Sequence, residues 1–207
     1  RDDLYMQYSS KILNTHSSFI RNILKVAGDQ DIISFAGGLP NPISFPMEAI
    51  QESVERSIAE HSTKLFQYST TLGYDPLREY IANKYRTQYG YDVEAKDVMI
   101  TSGSQQALDL LGKVLIDAGD GVVMEEPGYL GAIQSFTMSQ PTFYGVDLED
   151  DGLNIEQLRE TLANNPGIKF IYMVPNFHNP TGITYSQEKR DAIYDLIKDY
   201  DIALIED

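Results

Sequence analysis

From Asp97 to its last residue, the sequence alternates short runs of β-branched and apolar residues with longer amphipathic stretches. Val98-Met99-Ile100-Thr101, Val122-Val123-Met124-Glu125, Thr142-Phe143-Tyr144-Gly145-Val146, Phe170-Ile171-Tyr172-Met173-Val174 and Ile202-Ala203-Leu204-Ile205 are predicted strands. Between them, helices are predicted over Gln105–Ala118 (with Leu108, Leu111 and Leu115 inward), Tyr129–Thr137, Ile155–Asn164 and Gln187–Tyr200. Continuous apolar strands, unlike alternating ones, are buried on both faces, and helical crossovers make their sheet mostly parallel. The expected fold is therefore α/β, a three-layer α/β/α arrangement around a mostly parallel sheet.

The first hundred residues read differently. A helix capped by Ser17-Ser18 carries Phe19, Ile20, Ile23, Leu24 and Ala27 at helical spacing and stops at Gly28-Asp29. A short strand, Ile32-Ile33-Ser34-Phe35, then enters a loop, Gly37-Gly38-Leu39-Pro40-Asn41-Pro42, whose bare backbone permits close approach. A helix over Met47–Ala59 puts Ile50, Val54 and Ile58 on one face. Asp75-Pro76 then reads as an N-cap acid followed by proline, opening a helix through Tyr85. Residues 1–45 are read as an N-terminal arm and loop, and 46–207 as part of a larger domain. A core strand that stops at Glu206-Asp207 leads us to expect an incomplete domain, the N-terminal part of a longer protein.

Composition removes several alternatives. Sixteen Lys and Arg against 31 Asp and Glu give a net charge of −15, which disfavours nucleic acid and anionic membranes as partners. There is no cysteine, hence no disulfide, thiolate metal site or cysteine nucleophile. His16, His61 and His178 are scattered over different elements, so no metal site is expected; His178 is read as a loop residue near the pocket and the other two as surface. Neither a membrane-length apolar run nor the plan of a signal peptide is visible, and a cytoplasmic location is the default expectation.

Ligands of open α/β sheets bind at the carboxyl ends of the strands. Four segments there attract attention: Ser102-Gly103-Ser104-Gln105, Glu126-Pro127-Gly128-Tyr129, Pro175–Gly182, and Glu206-Asp207. The first is a glycine-containing turn feeding a helix, suited to a phosphate, or else an ordinary serine cap. Asn179-Pro180-Thr181-Gly182 is a turn of the same placement, or a plain Asn-Pro turn. Tyr129 is a core aromatic or a ring that stacks on a planar ligand. Asp207 is a cap for a following segment, or a buried carboxylate facing a cationic nitrogen.

Taken in order, Ser34-Phe35-Ala36-Gly37-Gly38-Leu39-Pro40, Tyr68-Ser69, Gly73-Tyr74-Asp75-Pro76-Leu77-Arg78, Thr101-Ser102-Gly103-Ser104-Gln105, Glu126-Pro127-Gly128-Tyr129, Asn179-Pro180-Thr181-Gly182 and Ile205-Glu206-Asp207 resemble the fold-type I, class I/II aminotransferases. Within them the sequence is most similar to the 2-aminoadipate and kynurenine aminotransferases. The resemblance implies pyridoxal 5′-phosphate as cofactor. It implies that Gly103, Ser104 and Gln105 hold the phosphate, that Tyr129 stacks on the pyridine ring, and that Asn179 bonds its phenolic oxygen. Asp207 matches the carboxylate that pairs with the pyridinium nitrogen, and Tyr68 a tyrosine that reaches the cofactor of the neighbouring subunit of a homodimer. Gly37 and Gly38 match the substrate-side loop. Arg21, 16 residues before Gly37, matches an arginine that meets the distal carboxylate of the substrate; read on its own it is a solvated arginine on an amphipathic helix.

The reaction so implied moves an amino group between an amino acid, such as 2-aminoadipate or glutamate, and a 2-oxo acid by ping-pong Schiff-base chemistry. The lysine that forms the Schiff base falls beyond Asp207 in the family pattern, and Lys96, Lys113, Lys189 and Lys198 lie in other contexts. The 207 residues by themselves are therefore expected to be inactive. The alternative is the ligand-sensing, aminotransferase-like domain of a winged-helix transcription regulator, which shares these motifs.

Overall fold

The computed structural model describes residues 8–13 and 40–207. The helix predicted over Phe19–Ala27, the strand Ile32–Phe35, Arg21, Gly37 and Gly38 lie outside the described residues. Those described form two compact units, residues 40–100 and residues 8–13 with 101–207. In the latter, α1 (Ser10–Leu13) is a single exposed turn.

In the 40–100 unit, α2 (Met47–His61) places Ile50, Val54 and Ile58 on one face as the spacing predicts, each about half exposed. α3 (Asp75–Lys84) begins one residue earlier than the sequence suggests: Tyr74 is the N-cap and Asp75 the first helical residue. The Asp75 carboxylate instead accepts a 2.7 Å bond from Arg78 Nη1. Arg78, 8% exposed, also donates through Nε to the Val98 carbonyl at 2.8 Å and through Nη2 to the Ala95 carbonyl at 2.7 Å. Its planar fork thus pins segment 95–98 to the helix. Arg78→Met strips two carbonyls of their donor and is expected to lower the unfolding free energy by about 1–3 kcal/mol, read as an earlier urea midpoint. Arg78→Lys, a point charge in place of a fork, should recover only part.

Val98-Met99-Ile100-Thr101 is a correction to the sequence reading. It is not a strand: the Ile100 N–H donates to the Leu72 carbonyl at 2.9 Å, and no strand among the described residues pairs with the segment. β-propensity supplies an extended shape, but a strand exists only where a neighbour completes the ladder.

Residues 101–207 build one five-stranded sheet. Its strands are β1 (Gly121–Glu126), β2 (Thr142–Glu149), β3 (Gly152–Leu153), β4 (Ile168–Met173) and β5 (Ala203–Glu206), in the order β3-β2-β1-β4-β5. β2, β1, β4 and β5 run parallel, and β3 returns antiparallel beside β2. Four helices join them: α4 (Ser104–Leu115), α5 (Leu130–Thr137), α6 (Ile155–Asn164) and α7 (Gln187–Ile197). Alternate residues of the central strands feed opposite layers. Val123, Ile171 and Met173 pack with Leu158, Leu162, Ile193 and Leu196 of α6 and α7, while Val122, Met124, Phe170 and Tyr172 pack with Leu108, Ala132 and Phe136 of α4 and α5. Both faces of the sheet are covered, so the three-layer expectation holds for this unit. By register the carboxyl ends of β1, β4 and β5 are neighbours: Met124 pairs with Tyr172, and Met173 with Glu206.

Candidate active site

The ends of β1, β4 and β5 and the first turns of α4 and α5 converge on one region, and each arrives by a local cause. Gly103, at φ +82°, is the N-cap of α4, a backbone conformation that side chains rarely adopt. It provides no side-chain cap, so the first-turn N–H groups of Ser104 and Gln105 stay open at the positive end of the helix. The turn is shaped from within, with the Gln106 carboxamide accepting from the Ser102 N–H at 2.6 Å and the Thr101 hydroxyl donating to the Gly103 carbonyl at 3.1 Å.

Gln105 turns its side chain toward α5, where Nε2 donates to the Gly131 carbonyl at 3.0 Å and to the Ser135 hydroxyl at 2.5 Å. The two helix starts are thereby tied together. Tyr129 is the N-cap of α5 and is half-buried on the layer that holds Phe136, Phe170 and Tyr172. Its ring lies over Gly131, where an added Cβ would meet ring carbon and hydroxyl at 2.5 and 2.6 Å; glycine is the residue that leaves the ring this place.

Asp207 follows β5, with its N–H donated to the Met173 carbonyl at 3.1 Å. Its Oδ2 accepts from the Tyr172 hydroxyl at 2.8 Å. Burial, and then the carboxylate it faces, hold the Tyr172 phenol well above the ordinary tyrosine range, so it remains a donor. Among the described residues Asp207 is exposed, with its carboxylate held from one side by the Tyr172 hydroxyl.

Asn179 is exposed on the turn after β4, across a cis Asn179–Pro180 bond, and among the described residues no hydrogen bond of its side chain is present. Its neighbour His178, expected as a loop residue, is 1% exposed. His178 Nε2 lies 3.1 Å from Glu125 Oε2, while Nδ1 lies 2.8 Å from the Thr181 hydroxyl. Glu125, 2% exposed, also accepts from the Val174 N–H at 3.0 Å and the Tyr185 hydroxyl at 2.7 Å. Burial pushes the Glu125 carboxyl up, against the pull of its Tyr185 and Val174 bonds, and pushes the His178 imidazole down.

Of the residues singled out by sequence, Gly103, Ser104, Gln105 and Tyr129 share the joined helix starts. Asn179 and Asp207 follow neighbouring strand ends. Tyr68 belongs to the 40–100 unit, where it is 99% exposed. Tyr172, Glu125 and Tyr185 were missed. The signal for Glu125 was present: a carboxylate in the run Val122-Val123-Met124-Glu125 is out of place in a doubly covered strand unless it is bonded there. Among the described residues there is no group of three His, Asp or Glu able to hold a metal, and no helix long and apolar enough to cross a membrane.

The profile of aminotransferases of class I and II matches residues 34–207. This chain belongs to that family. The aromatic-amino-acid aminotransferase 1 of Thermococcus litoralis is 40% identical over 209 residues, 99% of this chain and 50% of its own. The 2-aminoadipate transaminase of Thermus thermophilus is 39% identical over 191 residues, 92% of this chain and 46% of its own. Among solved structures, the kynurenine aminotransferase of Pyrococcus horikoshii, in complex with PMP, superposes with a TM-score of 0.88 at 40% identity, covering 96% of this chain and 50% of that one. A Bacillus subtilis protein named as an HTH-type transcriptional regulator is 33% identical over 183 residues, 87% of this chain and 40% of its own. The aminotransferase chain thus spans about half the length of the relatives it matches. The family's cofactor is pyridoxal 5′-phosphate, present in its aminated or phosphopyridoxyl form in solved relatives.

Proposed function

We propose that the protein containing this chain is a pyridoxal-phosphate-dependent aminotransferase, transferring the amino group of an acidic or long-chain amino acid to a 2-oxo acid. The observation that carries the reading is the uncapped start of α4 tied by Gln105 to the helix that Tyr129 opens. Open N–H groups at a helix N-terminus suit a phosphate, and an aromatic ring beside them suits a flat heterocycle. When bound, the cofactor supplies the electron sink that lets an amino acid lose its α-proton.

The chain's own residues do the rest. Gly103, Ser104 and Gln105 offer backbone donors to the phosphate, Tyr129 offers a stacking face, and Asn179 offers an amide to the ring's phenolic oxygen. Asp207, its one oxygen engaged by Tyr172, keeps the other for the ring nitrogen and favours that nitrogen's protonated form. Gly37 and Gly38 give the substrate room. Tyr68, exposed on its unit, reaches the phosphate of a second subunit in a homodimer. Substrate choice rests on Arg21, whose guanidinium forks onto a distal carboxylate.

The test is a substrate panel on the full-length protein with pyridoxal 5′-phosphate, wild type beside Arg21→Ala. We expect visible absorbance on cofactor addition, and a loss of at least about tenfold in kcat/KM confined to 2-aminoadipate and glutamate, the size of one lost charge-assisted pair. A uniform loss over all substrates removes Arg21 from the site. A full-length protein that stays colourless with the cofactor overturns the assignment. A ligand-sensing regulator is the second reading, supported by the relative of that name. A basic winged-helix segment encoded before Arg1 decides for it; its absence from the gene decides against.

A further inference from the structure

The buried cluster of Glu125, His178 and Tyr185 has no part in the roles above, yet the charge of a carboxylate and the ring of a histidine do not sit inside a protein without a use for their bonds. We infer that Glu125 and His178 form a positioning couple that sets the Asn179 amide against the cofactor, by locking the turn that carries Asn179 to the end of the strand that leads to Tyr129. The inference rests on the proposed cofactor site and deepens it.

The directions of the hydrogen bonds define the couple. Thr181 Oγ1 accepts the Ile183 N–H at 3.3 Å, which leaves its own proton to point at His178 Nδ1, 2.8 Å away. The Thr181 backbone N–H approaches the same nitrogen at 3.4 Å. Two donors on Nδ1 make it an acceptor, so the ring's proton resides on Nε2. Nε2 is buried and finds no aligned hydrogen bond among the described residues; its nearest acceptor is Glu125 Oε2 at 3.1 Å.

Glu125 itself is fixed from two other elements. Val174 at the end of β4 and Tyr185 before α7 both donate to it, so the carboxylate cannot follow the turn if the turn shifts. Residues 178–183 close on themselves as well: the His178 N–H donates to the Ile183 carbonyl at 2.8 Å and the Gly182 N–H to the His178 carbonyl at 2.6 Å. The turn therefore moves as one body, and the His178 ring is its anchor. Asn179, next in the chain and exposed, is where that anchoring is felt. A residue that orients a ligand-binding side chain through one intermediate is held almost as tightly to its task as the binding residue itself.

The experiment is a double-mutant cycle on the full-length protein, with the Kd for pyridoxal 5′-phosphate and the absorption maximum of the bound cofactor as readouts. His178→Ala and Asn179→Ala are each expected to raise Kd by about tenfold and to shift the maximum in the same direction, with the double variant little worse than either alone. His178→Gln, whose amide can still donate toward Glu125, should restore part of both. Thr181→Val, at an exposed position, removes the hydroxyl from Nδ1 and should give a smaller shift of the same sign; it carries the test if His178→Ala does not fold. Additive effects of His178→Ala and Asn179→Ala overturn the inference, as does a His178→Ala protein with lowered stability but unchanged Kd and maximum. A wild-type protein that binds no pyridoxal 5′-phosphate is a different result: it removes the proposed function and not the coupling alone.

Discussion

Asp207→Asn in the full-length protein is expected to lower kcat by about a hundred- to a thousandfold, the range seen when one preorganised electrostatic group is removed from a reacting centre. The substitution keeps size and one acceptor oxygen, so only the charge that we propose faces the ring nitrogen is lost. Asp207→Glu, which restores the charge on a longer arm, should regain a measurable part. Tyr172→Phe separates fixing from charging: the carboxylate stays but loses the hydroxyl that holds Oδ2 at 2.8 Å, and an intermediate loss in kcat follows. Because that phenol is kept protonated by its burial and by the carboxylate, the restraint does not fade at alkaline pH before the ordinary tyrosine range is passed. Steady-state kinetics across the three variants, with Kd for pyridoxal 5′-phosphate measured alongside, check the order wild type, Tyr172→Phe, Asp207→Asn. An Asp207→Asn enzyme within about twofold of wild type would take Asp207 out of the site.

The layered core was legible because its physics is local in the sequence. A strand covered on both faces must be apolar throughout, and Val122-Val123-Met124 and Phe170-Ile171-Tyr172-Met173 announce themselves; α6 matched the predicted limits Ile155 and Asn164. What failed was decided elsewhere in the chain. Val98–Thr101 has strand composition but no partner among the described residues, and β3, two residues long, was too short to leave a periodic trace. The residue type of Asp75 predicts a cap, yet Arg78, three residues on, claims the carboxylate.

The site divides along the same line. Backbone chemistry, such as the glycine turn before α4, can be read from Gly103-Ser104-Gln105 alone. Side-chain partnerships across 35 to 60 residues, Tyr172 with Asp207 and Tyr185 with Glu125, leave no local pattern. Tyr172 reads as one more aromatic of a buried strand, and only its hydroxyl's destination reveals a task. His178, expected as a loop residue, is buried with Nε2 3.1 Å from the carboxylate of Glu125, a residue whose sequence context predicts only a strand.

Phe136→Ala is expected to cost about 3–5 kcal/mol of stability, the largest single loss among the substitutions considered. Phe136 is fully buried on α5 and meets Phe170 and Tyr172 edge-on, with ring centroids 5.1 and 5.7 Å away. Edge-to-face pairs add to the burial they come with, and truncation leaves a void between helix and sheet that the strand, hydrogen-bonded on both sides, is poorly able to fill. Urea midpoints of the cofactor-free, full-length protein measure the effect, with Tyr194→Ala as the comparison. Tyr194 is 64% exposed on α7 and its loss should stay within about 0.5 kcal/mol. Equal midpoints for the two variants would contradict the packing. The damage should also reach the site by a traceable route: the void opens against the Tyr172 ring, whose hydroxyl restrains Asp207, so the folded fraction of Phe136→Ala should show a lowered kcat as Tyr172→Phe does. Phe136→Leu, which refills most of the void but has no ring edge, should recover more of the stability than of the kcat, since filling supports the helix while the aromatic contact orients Tyr172.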